Sequence, residues 1–258
     1  MNEIHETAII SSKAQLGNNI KVGPFSIIHD DVIIDEGTTI GSHAVIYDGA
    51  RIGKNVQIFQ GASVSNTPQD YGYKGERTFF SIGDNTIIRE FVSLHKATKE
   101  GGTSSVGKNC MLMAYCHVGH DSVLGDNVIL ANDVHIGGHT VIENFAIVGG
   151  GTPIHQFSRI GQHSMTGGGL VITCDVPPYV LAGRAPLRYA GMNSIGLRRR
   201  GFTPEDIAVI KKTYDILYNS GLNFSQAKER IKDELSDKPK AMIIYDFLGK
   251  TKRTILRK

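Results

Sequence analysis

Five of the ten histidines in this sequence lie between positions 117 and 155, at His117, His120, His135, His139 and His155. An unperturbed imidazole has a pKa of about 6.5, so it can accept a proton from a substrate at neutral pH. Neutral imidazole is also a frequent ligand of zinc. The cluster therefore indicates a general base or a metal site, unless these histidines only decorate turns. The choice depends on how the fold groups their side chains.

An aliphatic side chain recurs every six residues along most of the chain. Of the 29 positions in this register from Ile4 to Ile172, 25 are Ile, Leu or Val, and the exceptions are Asp70, Glu76, Glu100 and Thr166. A period of six is not helical. It is typical of a short strand followed by a turn, and the recurring Gly after the aliphatic residue suits such turns. Three hexads would close one triangular coil, and the whole span predicts about nine coils.

Stacking of 18-residue coils predicts which histidines meet. Each residue would lie against the one 18 positions further on, so His117 meets His135, His120 meets Gly138, and Gly138 meets Gln156. Neighbouring strands are about 4.8 Å apart, so three coils span about 10 Å. We predict that His120 is a general base and that the backbone N–H of Gly138 donates to an oxyanion. This pair suits transfer of an acyl group from a thioester to a hydroxyl without a Ser or Cys nucleophile.

Two stretches interrupt the hexads without changing their phase. Residues 65–81 and 95–105 each predict an extruded loop that replaces whole hexads, and loops on a rigid scaffold often carry function. The β-helix is predicted over residues 1–180, and residues 181–258 predict a C-terminal α-helical cap. In the cap, Thr203 and the Pro and acidic residues after it indicate a helix start. Further helices are predicted from near Ser225 and over Ala241–Leu248.

Charge is divided unevenly along the chain, whose net charge is +3. Residues 1–175 hold 11 Lys and Arg against 17 Asp and Glu, a net charge of −6, whereas residues 176–258 hold 17 against 8, a net charge of +9. The basic part is either a docking surface for an acidic partner or the solvated surface of helices. It lacks interleaved aromatic residues and a recognised nucleic-acid-binding fold, so we predict no nucleic-acid partner.

The composition excludes several classes of protein. No apolar run approaches the roughly 20 residues of a membrane span, and the first residues lack the features of a signal peptide. Three cysteines, an odd number, argue against a disulfide framework. Cys110 and Cys116 each lie two residues before an in-phase aliphatic residue, a position where small inward-facing side chains recur, and are predicted to be core residues. These features predict a cytoplasmic protein without stable membrane insertion.

Eight short segments spread over nearly the whole chain form a more specific set. They are Gly23-Pro-Phe25, Pro68-Gln-Asp70, Tyr73-Lys-Gly-Glu76, His117-Val-Gly-His-Asp121, Gly137-Gly-His139, His155-Gln-Phe157, Asp175-Val-Pro-Pro-Tyr179 and Asn193 through Arg198-Arg-Arg-Gly-Phe202. Together they resemble the acyl-carrier-protein-dependent UDP-N-acetylglucosamine O-acyltransferases, which open lipid A synthesis. The resemblance implies a left-handed parallel β-helix and a homotrimer with sites between subunits. It also implies transfer of an (R)-3-hydroxyacyl chain, delivered on the phosphopantetheine of acyl carrier protein, to the 3-hydroxyl of UDP-N-acetylglucosamine, with no other cofactor and no metal.

The resemblance also implies roles for individual residues. His120 is the base, Asp70 from the first loop is its carboxylate partner, and Gly138 is the oxyanion donor. The residues expected to contact substrate are His117, His139, His155 and Gln156 in the cleft, Gly168 at the floor of the acyl tail, and Asn193, Arg199 and Arg200 at the nucleotide end. One position departs from the family: Gly72 stands where it usually has Lys, and Lys74 is the nearest replacement for a phosphate contact.

Alternatives remain at this point. The N-acyltransferase of the same pathway carries an extra N-terminal domain, whereas here the hexads begin at Ile4. Another hexapeptide-repeat acyltransferase would share the hexads but not the full set of segments. A zinc site, as in hexapeptide-repeat carbonic anhydrases, would use three histidines from adjacent subunits. A scaffold or ice-binding β-helix would leave the histidines and Asp70 without a role. Acyl length and an amino analogue as acceptor stay open.

Overall fold

The hexads form a stack of short parallel strands. The structure, a computed structural model, describes residues 1–251 and 253–258. In chain order the strands of the stack are β1 (Glu3–Ile4), β2 (Ile9–Ile10), β3 (Gln15–Leu16), β4 (Lys21–Val22), β5 (Ile27–Ile28), β6 (Ile33–Ile34), β7 (Thr39–Ile40), β8 (Val45–Ile46), β9 (Ala50–Ile52), β10 (Gln57–Ile58), β11 (Ser63–Asn66), β12 (Phe79–Ile82), β13 (Ile87–Ile88), β14 (Ser93–His95), β15 (Thr103–Val106), β16 (Met111–Leu112), β17 (His117–Val118), β18 (Val123–Leu124), β19 (Ile129–Leu130), β20 (His135–Ile136), β21 (Val141–Ile142), β22 (Ile147–Val148), β23 (Pro153–Ile154), β24 (Arg159–Ile160) and β25 (Met165–Thr166).

Three parallel sheets form the faces of the prism, because each strand pairs with the strand three positions further along the chain, as β1 does with β4. Pairing partners such as Ile10 and Ile28 are 18 residues apart, as the hexads predict. The 25 strands make just over eight coils, three strands to a coil. Isolated bridges from Ile154 to Ile172 and from Ile160 to Val176 continue two of the sheets and complete a ninth coil, so the prediction of about nine coils is confirmed.

The two loops are shorter than predicted, because β11, β12, β14 and β15 extend into them. The first loop comprises residues 67–78 and the second loop residues 96–102. Gln57 pairs with Ile87 across the first loop and Ile87 pairs with Met111 across the second, which are spacings of 30 and 24 residues instead of 18. The loops thus insert 12 and 6 residues, two hexads and one, and the coils on either side stay in phase.

The core is the inside of the prism. In-phase aliphatic residues such as Ile46 and Leu94 are fully buried. Small polar residues in the neighbouring column are buried too, and their hydroxyls donate to backbone carbonyls, as Thr86 does to Gly107. Cys110 and Cys116 are buried in the same column, and burial raises the pKa of each thiol to about 11. This confirms that both cysteines are core residues.

Strands continue past the predicted boundary at residue 180. β26 (Val180–Gly183) extends the first sheet in parallel with β25, and β27 (Arg188–Met192) adds an antiparallel strand. The helices α1 (Ser194–Arg199), α2 (Pro204–Asn219), α3 (Phe224–Leu235) and α4 (Pro239–Lys250) follow. The prediction missed α1 but placed the other three helices.

The helical cap is fastened to the end of the prism. The Thr203 side chain accepts from the Asp206 N–H at the start of α2, as its sequence predicts. On the same helix, the Tyr214 and Tyr218 hydroxyls donate to the carbonyls of Pro178 and Leu256. No helix among the described residues has the length and apolar character needed to cross a membrane.

Candidate active site

His120 and Gly138 lie on successive coils, in the turns that follow β17 and β20. The His120 side chain is only 12% exposed. A Cβ on Gly138 would lie 2.6 Å from Nε2 of this imidazole, so only glycine leaves room for the ring in this position. Among the described residues the Gly138 N–H has no acceptor. The predicted base and the predicted oxyanion donor are therefore adjacent.

Carboxylates flank both nitrogens of the His120 ring. Asp121 Oδ2 lies 2.8 Å from Nδ1, and Asp70 Oδ2 lies 3.5 Å from Nε2, within the same chain. A carboxylate at Nδ1 fixes the proton there and leaves Nε2 as the basic nitrogen, a tautomer assigned from this hydrogen bond. The residue that orients the base is thus Asp121, which had no role in the sequence-based predictions beyond its place in the segment from His117. Asp70 faces the basic nitrogen, on the side where a substrate hydroxyl would enter.

Asp121 carries a signal that sequence reasoning missed. It directly follows His120 and has a left-handed backbone, with φ of 57°, which turns its side chain back towards the preceding imidazole. Asn and Asp tolerate this conformation better than most residues. Burial pushes the pKa of its carboxyl upward, but hydrogen bonds from His120 and Thr98 outweigh burial and hold the pKa below its usual range. The carboxylate is therefore charged at neutral pH.

One cleft of about 360 Å³ contains the predicted base, the predicted oxyanion donor and three of the eight predicted substrate-binding residues. His117, His120, Gly138, His155 and Gln156 line it, as the coil register predicts. Further lining residues are Gln69 from the first loop and His95, Gly119 and Gly137. Burial, with the neighbouring imidazoles, lowers the pKa of His117 to about 4, so this side chain is neutral at pH 7 and suits hydrogen bonding to an uncharged group.

His139 lies on the opposite side of the base from this cleft. Its ring stands nearly perpendicular to that of His120, at 5.2 Å between centroids, and stacks on Phe157 at 4.6 Å. Its Nε2 is 3.7 Å from Asp121 Oδ2. Ligand atoms of His120, Asp121 and His139 lie within 4.8 Å of one another, a set that could hold a divalent metal. The expectation of a metal-free site stays a prediction.

Besides His139, four predicted substrate contacts lie outside the cleft. Gly168 follows β25 in a different sheet from β17, and a Cβ there would lie 2.7 Å from the Gly150 carbonyl oxygen, so packing alone demands glycine. Asn193 is buried as the N-cap of α1. Arg199 is exposed at the end of α1, and Arg200 is half-buried next to it. The substrate roles of these four residues stay predictions.

The first loop does not supply a lysine to the cleft. The Gly72 N–H donates to Asp70 Oδ1 at 2.6 Å, which fixes the Asp70 side chain within its own turn. Lys74, the expected replacement, donates from Nζ to the Tyr71 carbonyl at 2.8 Å. In this structure the Lys74 ammonium group therefore bonds to the backbone of its own loop. It does not reach into the cleft, where it could contact a phosphate group.

A buried histidine beside the cap predicts acid sensitivity. His163 stacks between Phe145 and Tyr179, and burial together with the charges of Arg200 and Lys240 lowers its pKa to about 4. In the unfolded chain the value is about 6.5, so the unfolded state binds more protons between these values. His163 therefore favours folding fully above pH 6.5, and this contribution is lost as the pH falls towards 4.

We expect the melting temperature to fall between pH 7.5 and pH 5, and to fall less in His163→Phe, whose ring can keep the stack. Thermal unfolding followed by circular dichroism at both values measures this. His43→Phe is the matched control, because His43 is exposed while also stacked on a neighbouring ring. An equal pH effect in wild type and His163→Phe would contradict the prediction.

Comparison with known proteins agrees with this fold and site. A family model described as UDP N-acetylglucosamine O-acyltransferase, domain 2, matches residues 175–256, and a bacterial transferase hexapeptide model matches residues 13–48 and 103–138. The acyl-[acyl-carrier-protein]–UDP-N-acetylglucosamine O-acyltransferase of Syntrophobacter fumaroxidans is 41% identical over 99% of this chain and all of that protein. The protein of the same name from Halorhodospira halophila is 43% identical, with both chains fully covered.

Solved structures agree as well. The UDP-N-acetylglucosamine acyltransferase of Francisella novicida has a TM-score of 0.96 and 40% identity, covering 99% of this chain and 94% of that one. The Campylobacter jejuni enzyme has a TM-score of 0.91 and 32% identity, covering 99% and 100%. A prism of hexads with a histidine–carboxylate pair in its turns defines a hexapeptide-repeat acyltransferase. Within that class, the chain belongs to the acyl-[acyl-carrier-protein]–UDP-N-acetylglucosamine O-acyltransferase family. The predictions of the family and of a left-handed parallel β-helix with a helical cap are confirmed.

Proposed function

We propose that this enzyme transfers an (R)-3-hydroxyacyl chain from the phosphopantetheine thioester of acyl carrier protein to the 3-hydroxyl of UDP-N-acetylglucosamine, the first step of lipid A synthesis. The observation that carries the proposal is the His120 ring, with Nδ1 held by Asp121 and Nε2 open to the cleft beside Gly138. Full-length identity to O-acyltransferases supports it over the N-acyltransferase alternative.

The chemistry follows from the different surroundings of the two nitrogens of this ring. Nε2 takes the proton of the sugar hydroxyl while its oxygen attacks the thioester carbonyl carbon, forming the new C–O bond. The carbonyl oxygen becomes an oxyanion, which the free N–H of Gly138 stabilises. When the carbonyl re-forms, the C–S bond breaks, and the protonated imidazole returns its proton to the departing thiolate. Asp121 stays ionised and stabilises the imidazolium between these steps.

Identification of the reaction product tests the proposed function. We would incubate the enzyme with UDP-N-acetylglucosamine and a pool of acyl carrier proteins that carry different acyl chains, and analyse the product by mass spectrometry. An ester at the 3-hydroxyl supports the proposal, and the preferred chain reports acyl length. A parallel reaction with the 3-amino analogue of the sugar tests the alternative acceptor. Failure to acylate either sugar would overturn the proposal.

Acyl carrier protein is proposed to dock on the basic C-terminal part of the chain. Residues 176–258 carry a net charge of +9, and acyl carrier proteins are acidic. Lys211 is exposed on α2, and Lys212 beside it forms an exposed ion pair with Glu234. Opposite charge over this surface would raise the rate of productive encounter, which appears in the apparent KM for the carrier protein.

The double variant Lys211→Glu and Lys212→Glu is expected to raise the apparent KM for acyl carrier protein about tenfold at low salt, and to leave the KM for the nucleotide sugar unchanged. The single variant Lys211→Glu tests the effect without breaking the pair to Glu234. Lys21→Glu, on β4 far along the stack, is the charge-matched control. Equal KM values in all of these proteins would show that the carrier docks elsewhere.

A homotrimer is proposed as the working assembly. Apolar rings are exposed along the prism: Phe91 and Tyr115 stack on each other at 5.3 Å while each is more than half exposed, and Phe157 is half exposed. Exposed apolar rings in register on a rigid surface support association with further copies of the chain. Sedimentation equilibrium tests the trimer.

The cytoplasmic location and the absence of a further cofactor stay predictions.

A further inference from the structure

The second loop, residues 96–102, has no role in the chemistry described so far. In the structure it lies against Asp121, the residue that orients the base. The Thr98 N–H donates to Asp121 Oδ1 at 3.1 Å, and the Thr98 hydroxyl donates to Oδ2 at 2.8 Å. Oδ2 is the oxygen that also accepts from His120 Nδ1. One residue of this loop therefore contacts both oxygens of the orienting carboxylate.

The loop holds Thr98 in place through contacts at its far end. Glu100 Oε2 accepts from the Arg77 N–H at 2.8 Å, and the Gly101 N–H donates to the Arg77 carbonyl at 3.0 Å. The Arg77 guanidinium in turn pairs with Asp31 on the prism at 2.9 Å. Because Arg77 belongs to the first loop, which carries Asp70, the two loops are fastened to each other and to the prism. The first loop lies on the Nε2 side of His120 through Asp70, and the second loop lies on the Nδ1 side through Thr98 and Asp121.

We propose that Thr98 is a positioning residue for the acyl-transfer reaction: its N–H and hydroxyl fix the Asp121 carboxylate against His120 Nδ1 and share its negative charge. The inference rests on the proposed function, in which His120 is the base. A carboxylate that accepts a further hydroxyl hydrogen bond attracts the imidazole proton less strongly than one without it. Without the hydroxyl, the carboxylate would attract the imidazole proton more strongly.

Other charged and titratable groups face this pair and stay the same in the variants proposed below. Asp70 approaches His120 Nε2, and His139 approaches the same oxygen of Asp121. Further groups around the pair are His95 and His117 in the cleft, and Arg159, Asp175 and Lys250 in the cavity on the Asp121 side.

Removal of the Thr98 hydroxyl tests the proposal. In Thr98→Val the backbone N–H remains, so the carboxylate keeps one donor from the loop but loses the other. We expect the titration midpoint of His120, followed by NMR of labelled imidazoles and assigned with His120→Gln, to rise by roughly half to one pH unit. The acid limb of the kcat/KM profile moves up by the same amount, so activity falls more at pH 6.5 than at pH 8.5.

Two matched variants separate this role from a merely structural one. Thr98→Ser retains the hydroxyl and is expected to restore the wild-type midpoint. Thr103→Val makes the same replacement at an exposed site just beyond the loop and is expected to match wild type. An unchanged midpoint in Thr98→Val, or a loss of activity by the same factor at every pH, would overturn the proposal. The NMR midpoint needs no substrate, so it tests Thr98 even if the proposed acyl transfer were wrong.

Discussion

His120→Ala is expected to lower kcat by a factor on the order of 10²–10⁴, because a positioned general base contributes about that much. The variant removes the group that takes the hydroxyl proton and returns it to the thiolate. Binding of both substrates depends on other groups, so the KM values should change much less. Steady-state kinetics with both substrates varied measures the two effects separately.

The fold should survive this change. His120 lies in a turn outside the aliphatic core, and its side chain contacts Asp121, Asp70 and His139 rather than the prism interior. His135→Ala is the matched control, because His135 is about half exposed on the neighbouring coil and its ring pairs with Asp133. Near-normal activity in His120→Ala, with an unchanged melting temperature, would show that another group is the base.

Gly138→Ala is expected to reduce kcat by about 10²-fold, because small displacements of a catalytic group have effects of that size. The new methyl group would lie 2.6 Å from Cε1 and Nε2 of His120, closer than real contacts allow. The Gly138 backbone is held by a hydrogen bond from the Phe157 N–H, so the imidazole has to move. The base is then displaced from its alignment with the oxyanion donor.

A second glycine provides the control for Gly138→Ala. A Cβ on Gly183, in β26, would meet only the Ala190 side chain at an ordinary 3.7 Å. Gly183→Ala should therefore keep wild-type activity and stability. A shift of the His120 imidazole NMR signals in Gly138→Ala but not in Gly183→Ala would locate the displacement at the ring. Retention of kcat within a few-fold in Gly138→Ala would contradict the close packing described here.

The hexad register made much of the fold and part of the site predictable. Contacts between coils connect residues at a constant spacing, so His117 opposite His135 and His120 against Gly138 follow from arithmetic on the sequence. The structure confirms both contacts. The extent of the two loops was overestimated, since the register does not reveal at which residue the chain leaves the prism. The segment around α1 lacks a strong helix signal, because it is a short helix whose N-cap Asn193 is itself buried.

The contacts that the two loops make could not be predicted from the hexad register. Arg77 pairs with Asp31, and Thr98 donates to Asp121, over separations that no period relates. The orientation of Asp121 depends on a left-handed turn and on a hydroxyl from another insertion. It decides which carboxylate holds Nδ1 and which faces Nε2. From the sequence, the resemblance implied Asp70 as the partner of the base and gave Asp121 no role.

The sequence by itself determined the prism, the place of the histidines on it, and the family of the chain. These depend on short-range, repeated preferences that act in every coil. Only the tertiary structure decided how the carboxylates are divided around His120, that Lys74 stays with its own loop, and that Gly168 and α1 lie away from the cleft. These depend on single long-range contacts, and a long-range contact has its energy only when the whole fold brings the two partners together.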